Sequence, residues 1–268
     1  QYRHLLIIKG GSKHIICAPP HDHPNEAWKP LLIKAENENK EDGRLSPQET
    51  ANLLNELIIK SQELLTAHPF NLQRKDKQND IANSIWPWGG GYRPQMRTLS
   101  EMFPQIHSGS VISAVDLIRG IGYYAGLGII KVKGATGLAN TNYEGKVALK
   151  QLREKDFVFL HIEASDEAGH DGDLQLKLQT IGNLDHRAVE PIYNEVKKWD
   201  EPVCIAVLPD HPTPVEIRTH VKEPVPFLIW HPGITPDNVT QYDETSCIRG
   251  EYGLIYLQEF MHSLMEIK

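Results

Sequence analysis

Apolar residues at Leu53, Leu54, Leu57, Ile58, Leu64 and Leu65 recur at helical spacing and predict one long amphipathic helix in the first third of the chain. Its start is marked by Ser46-Pro47-Gln48-Glu49, an N-cap serine followed by a proline at the first helical position and a glutamate at the capping-box position. His68-Pro69 closes it. Upstream, the apolar run Leu5 to Ile8 predicts a strand and His14 to Cys17 a second, leading into the turn-rich loop Ala18 to Pro24. Ile85 to Pro94, with Trp86-Pro87-Trp88-Gly89-Gly90-Gly91, reads as a loop, and a domain boundary is expected just after it, near Gln105. From Ser110 onward helix and strand alternate. The pattern predicts helices over Val111 to Tyr124, Tyr143 to Leu152 and Leu174 to Trp199. Between and after them lie strands at Gly128 to Val132, Phe157 to Ile162, Val203 to Leu208 and Val225 to Trp230. Near-continuous apolar strands separated by helices imply a mostly parallel sheet sandwiched by helices, an α/β fold, beside a smaller α+β domain.

Composition narrows the class. Hydrophobic residues make up 40% and charged residues 24% of the 268, and no apolar run approaches the roughly 20 residues that span a bilayer, so no membrane segment is expected. Acidic residues outnumber basic ones 35 to 28 with no basic stripe, which argues against a nucleic-acid partner. Cys17, Cys204 and Cys247 are widely spaced, with Cys204 inside an apolar run, so a reducing, cytoplasmic setting is expected. Gln1 is not an initiator and no signal peptide is visible, and the chain is expected to be part of a longer protein.

In open parallel sheets, functional groups gather beyond the carboxyl ends of the strands. The strand Phe157 to Ile162 runs directly into Ser165-Asp166-Glu167-Ala168-Gly169-His170, placing Asp166 and His170 four apart on one face of a helical turn. The strand Val203 to Leu208 ends in Asp210-His211, and His220 precedes the strand Val225 to Trp230. Any one pair has a plain alternative as a helix cap or a loop contact. Two Asp and three His delivered by three strand ends point to divalent metal, and the mixed oxygen and nitrogen donors suit zinc, manganese or iron better than calcium. The loop His21-Asp22-His23 reads as an exposed turn before it reads as a metal cluster. Gly120-Ile121-Gly122 and the glycines after Trp88 read as turns or close-packing positions, and Trp86 and Trp88 as core or hinge residues.

Three segments, Asp166 to Gly172, Pro209 to Pro214 and Thr219-His220 with Pro224-Val225-Pro226-Phe227, resemble the metal motifs of cofactor-independent phosphoglycerate mutases of the archaeal type, in the alkaline phosphatase superfamily. Tyr2 to Leu6, Ile85 to Gly89, Gly134 to Gly137 and Thr141 to Lys146 extend the likeness over nearly the whole chain. The resemblance implies an alkaline-phosphatase-like sheet over 106–268, with 1–105 as an inserted lid domain. It implies interconversion of 3-phosphoglycerate and 2-phosphoglycerate through a phosphoserine, without 2,3-bisphosphoglycerate. Two divalent ions are implied, manganese first, with zinc, magnesium or cobalt as alternatives. Asp166, His170 and His220 would hold one ion and Asp210 and His211 the other, whose remaining ligands in the family are an upstream aspartate and the nucleophilic serine. No serine here stands in the matching context, so the catalytic nucleophile is unassigned and the chain alone is expected to be inactive. Arg3, His4, His21, Arg74 and Lys146 are the candidate contacts to a small phosphorylated substrate, with plain surface charge as the alternative for each. A related phosphotransferase or phosphohydrolase, such as members labelled homoserine kinase, is the competing activity, and a non-catalytic binding module on the same fold is the competing class.

Overall fold

The computed structural model describes residues 4–20, 23, 25–39, 41–132 and 141–265, with the side chains of 141–143 left aside. The chain forms two compact units, Gln1–Pro94 and Gln95–Lys268. The boundary expected near Gln105 falls inside the second unit, because Leu99 packs on the Val111, Ala125 and Leu127 cluster of that unit's core.

In the first unit, β1 (Ile15–Ile16) pairs antiparallel with β2 (Lys34–Ala35). Helix α1 (Pro47–Ala67) starts as its sequence dictates, with Ser46 and Glu49 forming a reciprocal capping box. It buries Ala51, Leu54 and Ile58 against Ile33. Asn55 fixes the register of that packing: its side chain accepts from the Ile33 N–H at 2.9 Å and donates to the Ile33 carbonyl at 2.8 Å. Trp86 packs on this cluster and donates its indole N–H to Ala18 O at 2.8 Å, whereas Trp88 is exposed. Helix α2 (Pro69–Asp76) follows directly, with His68 as its cap. No strand forms at Leu5 to Ile8, where Leu5, Leu6 and Ile7 are exposed. A strand needs a laddered neighbour, and among the described residues none pairs with this run.

The second unit begins with the short α3 (Leu99–Met102) and a parallel sheet of order β4-β3-β5, built from β3 (Gly109–Ile112), β4 (Gly128–Ile130) and β5 (Phe157–Leu160). Every residue of β3 is buried, as a central strand requires. This corrects the single helix expected over Val111 to Tyr124: Val111 and Ile112 belong to β3, and helix α4 (Asp116–Tyr124) starts only after the turn at Ser113. Gly122 is the close-packing position between them, since a Cβ there would lie 2.5 Å from Val111 Cγ1.

Helix α5 (Thr141–Leu152) precedes β5, and α6 (Ala164–Asp171) follows it. The helix expected over Leu174 to Trp199 is α7 (Leu174–Leu184), a π-helical segment (Asp185–Val189) and α8 (Glu190–Val196). Pro191 has no N–H to continue the ordinary ladder, and the wider turn falls just before it. β6 (Ile205–Val207) and β7 (Leu228–Trp230) pair antiparallel, correcting the parallel expectation for this last pair; the chain between them holds no crossover helix. Tyr242 links the two strands' ends, donating to Val207 O and Pro226 O. Burial pushes its phenol above the ordinary tyrosine value. The chain closes through α9 (Glu244–Cys247) and α10 (Leu257–Met265), whose Phe260 is buried edge-on against Phe227. Among the described residues no helix is long and apolar enough to cross a membrane.

Candidate metal centre

β5 delivers the chain into α6, whose eight residues place Asp166 and His170 one turn apart, with Nε2 of His170 3.4 Å from Oδ2 of Asp166. β6 delivers it into Asp210 and His211, where His211 Nε2 lies 3.3 Å from Asp210 Oδ1. The loop from Pro212 to Val221 folds back on itself through the Val221 N–H to Pro212 O bond and returns His220 to the same place. There His220 Nε2 is 3.5 Å from Asp166 Oδ1 and 3.1 Å from His170 Nε2. The rings of His211 and His220 stack at 3.6 Å, and His211 Nδ1 is 4.0 Å from Asp166 Oδ1. Asp166, His211 and His220 thus each offer a donor atom within 4.8 Å of the others.

These spacings suit a cation. Bonds of about 2.1 Å in a tetrahedral shell set donor atoms roughly 3.4 Å apart, and in an octahedral one roughly 3.0 Å. The pairs Asp166 Oδ2–His170 Nε2 at 3.4 Å, His170 Nε2–His220 Nε2 at 3.1 Å and Asp166 Oδ1–His220 Nε2 at 3.5 Å each fall near that window, the aspartate turning a different oxygen to each histidine. His211 presents its two nitrogens differently, Nδ1 toward Thr213 and Asp166 and Nε2 toward Asp210. Two imidazole nitrogens beside an aspartate form a donor set for borderline divalent ions.

Hydrogen bonds hold the donors in place. Thr213, 3% exposed, donates its hydroxyl to Asp166 Oδ1 at 2.5 Å, and its carbonyl accepts from Lys177 Nζ at 2.5 Å. His170 Nδ1 faces the Arg218 carbonyl at 2.9 Å; a carbonyl only accepts, so Nδ1 donates there and the ring is turned with Nε2 toward Asp166 and His220. Glycines admit this packing. A Cβ on Gly169 would overlap the Thr213 carbonyl oxygen, and one on Gly172, at φ +70°, would overlap the Arg218 guanidinium. Burial, and after it the charges of Glu163, Asp171 and Asp166, raise the Glu167 carboxyl above the usual range.

Of the five expected ligands, Asp166, His170, His211 and His220 lie side by side, and Asp210 stands next to His211. Other expectations fall elsewhere. Arg3, His21, Asp22 and the Gly134 to Gly137 motif lie outside the described residues, as do the side chains of Thr141, Asn142 and Tyr143. His23 belongs to a local turn, with Nδ1 3.1 Å from Glu26 Oε2. His4 and Lys146 are exposed. Arg74 donates Nε to Asp80 O at 2.5 Å, closing the end of α2. Sequence reasoning missed Thr213, whose signal was its place two residues after His211, and Arg218, which had none. It also missed a chain at the carboxyl ends of β3 and β5, where buried Ser113 bonds His161 Nδ1 at 3.1 Å and His161 Nε2 lies 3.4 Å from Glu163.

Comparisons with known proteins indicate the family. Residues 95–266 match the family model of the metalloenzyme superfamily, and residues 1–71 that of 2,3-bisphosphoglycerate-independent phosphoglycerate mutase. A protein of that mutase name from Methanosarcina acetivorans is 40% identical over 99% of this chain and 64% of its own length. One from Geobacter sulfurreducens, named a probable mutase of the same kind, is 44% identical over 91% of this chain and 58% of its own length. The chain thus spans under two thirds of the length of these relatives. Among solved structures, the PH0037 protein of Pyrococcus horikoshii superposes with a TM-score of 0.69 at 30% identity, covering 82% of this chain and 60% of that one. The cofactor-independent phosphoglycerate mutase of Thermoplasma acidophilum gives 0.58 at 20% identity, over 96% of this chain and 59% of that one, a likeness of fold.

Proposed function

The chain belongs to the metalloenzyme superfamily, and from that premise we propose that it is the larger part of a phosphoglycerate mutase that interconverts 3-phosphoglycerate and 2-phosphoglycerate independently of 2,3-bisphosphoglycerate. The observation that supports the reading is the approach of Asp166, His170, His211 and His220 to one another, with Asp210 beside His211, at the ends of β5, β6 and the Pro212–Val221 loop. Asp166, His170 and His220 would hold one divalent ion and Asp210 and His211 share in a second, with manganese the expected metal. When bound, such ions neutralise charge on a transferring phosphoryl group and acidify a hydroxyl nucleophile.

The chain's own residues prepare that work. Thr213 fixes one oxygen of Asp166, and the Arg218 carbonyl, accepting from Nδ1, orients the His170 ring with Nε2 toward the centre. In this proposal the nucleophilic serine and a further acidic ligand come from the third of the relatives' length that the chain does not match. The first unit, most of whose length matches the mutase model, serves as a lid that excludes water, so that the phosphoryl group returns to glycerate. Arg3, His4, His21 and Arg74 are its proposed substrate contacts, with Lys146 added from the second unit. Both curated relatives described above carry the mutase name, which favours this reading over the homoserine kinase alternative.

The test is a coupled assay of the full-length protein with 3-phosphoglycerate and Mn²⁺. Mutase turnover that disappears with chelator supports the proposal, while release of free phosphate without 2-phosphoglycerate overturns it in favour of a phosphohydrolase. The 268-residue chain alone is expected to show no turnover.

A further inference from the structure

Among the residues around the centre, Arg218 has an unusual backbone. Its φ is +59°, in the left-handed region that an arginine adopts only when its surroundings hold it there. Two contacts are made at this residue. Its carbonyl oxygen accepts from His170 Nδ1 at 2.9 Å, and its guanidinium packs on Gly172 at the C-terminal end of α6. Its N–H and that of Ile217 both bond the Pro214 carbonyl, at 2.8 and 3.1 Å, which pins the turn from within. Gly172, itself at φ +70°, leaves the space the guanidinium fills, so the end of α6 and the loop bearing His211 and His220 are fitted to each other at this residue.

We propose that Arg218 is a positioning residue of the metal centre, acting through its backbone: the guanidinium seated on Gly172 holds the residue left-handed, and that conformation aims its carbonyl at His170. The inference rests on the metal-centre reading above. Partners that orient a ligating histidine through its second nitrogen govern metal affinity strongly, and losing one weakens binding about 10- to 100-fold. The side chain is then needed only to stabilise a backbone shape, and a glycine, which adopts positive φ freely, would replace it.

The experiment is calorimetric titration with Mn²⁺ of the wild-type protein and of Arg218→Gly, Arg218→Ala and Arg218→Val, with near-ultraviolet circular dichroism to confirm folding. Arg218→Gly should stay within about threefold of wild type, while Arg218→Ala loses about tenfold and Arg218→Val, whose branched Cβ excludes positive φ, loses more. If the valine variant does not fold, the glycine and alanine variants decide the matter by themselves. Glycine binding no tighter than alanine, or alanine binding as tightly as wild type, overturns the proposal while leaving the metal centre standing. A wild-type protein that takes up no Mn²⁺ overturns both.

Discussion

Replacing Gly169 by alanine tests whether the loop and α6 are fitted as closely as the donor spacings require. A Cβ at this position would overlap the Thr213 carbonyl oxygen and lie 3.0 Å from both Thr213 Cβ and Cγ2. Restoring an ordinary carbon–oxygen contact of roughly 3.3 Å requires the loop to withdraw by on the order of 1 Å. The 2.5 Å bond from Thr213 to Asp166 then stretches and weakens, and the Lys177 amino group, 2.5 Å from the Thr213 carbonyl, must follow or lose its bond. Overpacking of this kind costs about 1–3 kcal/mol, against about 1 kcal/mol gained by exchanging glycine for alanine inside a helix. The net is a loss of roughly 0–2 kcal/mol, or up to several degrees in melting temperature. Metal affinity should fall further, about 10- to 100-fold, because Asp166 and the His211–His220 pair lose their common support. Gly182, in α7, is the control, since a Cβ there meets nothing within 4 Å. Gly182→Ala should stabilise by about 0.5–1 kcal/mol and leave metal binding unchanged. The readouts are thermal melting with and without Mn²⁺ and calorimetric titration. If Gly169→Ala binds Mn²⁺ as tightly as wild type, the fitted-loop argument is wrong.

Three further outcomes are expected. Burial raises the Glu144 carboxyl to about 7 from its usual 4.5, and the residue is only 4% exposed. A raised folded value means the folded state keeps a proton that the unfolded state has released, so stability falls as pH rises from about 4.5 through 7, by about 3 kcal/mol in all. Glu144→Gln should therefore melt like wild type at pH 4 and clearly higher at pH 8, and parallel pH profiles for the two proteins would contradict this. Ser46→Ala removes a capping box at the start of α1 and should destabilise the first unit by about 1 kcal/mol, measured by denaturant titration; an unchanged midpoint would show that the cap contributes nothing. His220→Ala should lower bound metal at least about tenfold by elemental analysis, and unchanged content would remove His220 from the centre.

What the sequence revealed of this centre, and what it concealed, divides along the reach of each interaction. Asp166 and His170 are legible because four residues on a helix bring two side chains together without help from the rest of the chain. Asp210 and His211 are legible because an apolar strand points to its own carboxyl end. Val111 and Ile112 could be read into a helix because a short apolar run carries no period of its own; only their pairing with Ile129, Ile130, Phe159 and Leu160 makes them a strand. Leu5 to Ile8 fails in the opposite sense, having strand composition and no strand beside it among the described residues.

The glycines of the motif Asp166 to Gly172 carry the further lesson. Read along the chain, Gly169 and Gly172 look like helix spacing and helix end, and Gly172 does cap α6 with its left-handed backbone. Their other partners lie more than forty residues away, where the Thr213 carbonyl and the Arg218 guanidinium occupy the space a Cβ would take. The motif thus specifies two things at once, the ligands on one face of the helix and the absence of side chains where the opposing loop lands. Since that loop brings His211 and His220 to Asp166, a substitution that leaves every ligand in place and only fills the glycine space should empty the centre as surely as removing a histidine.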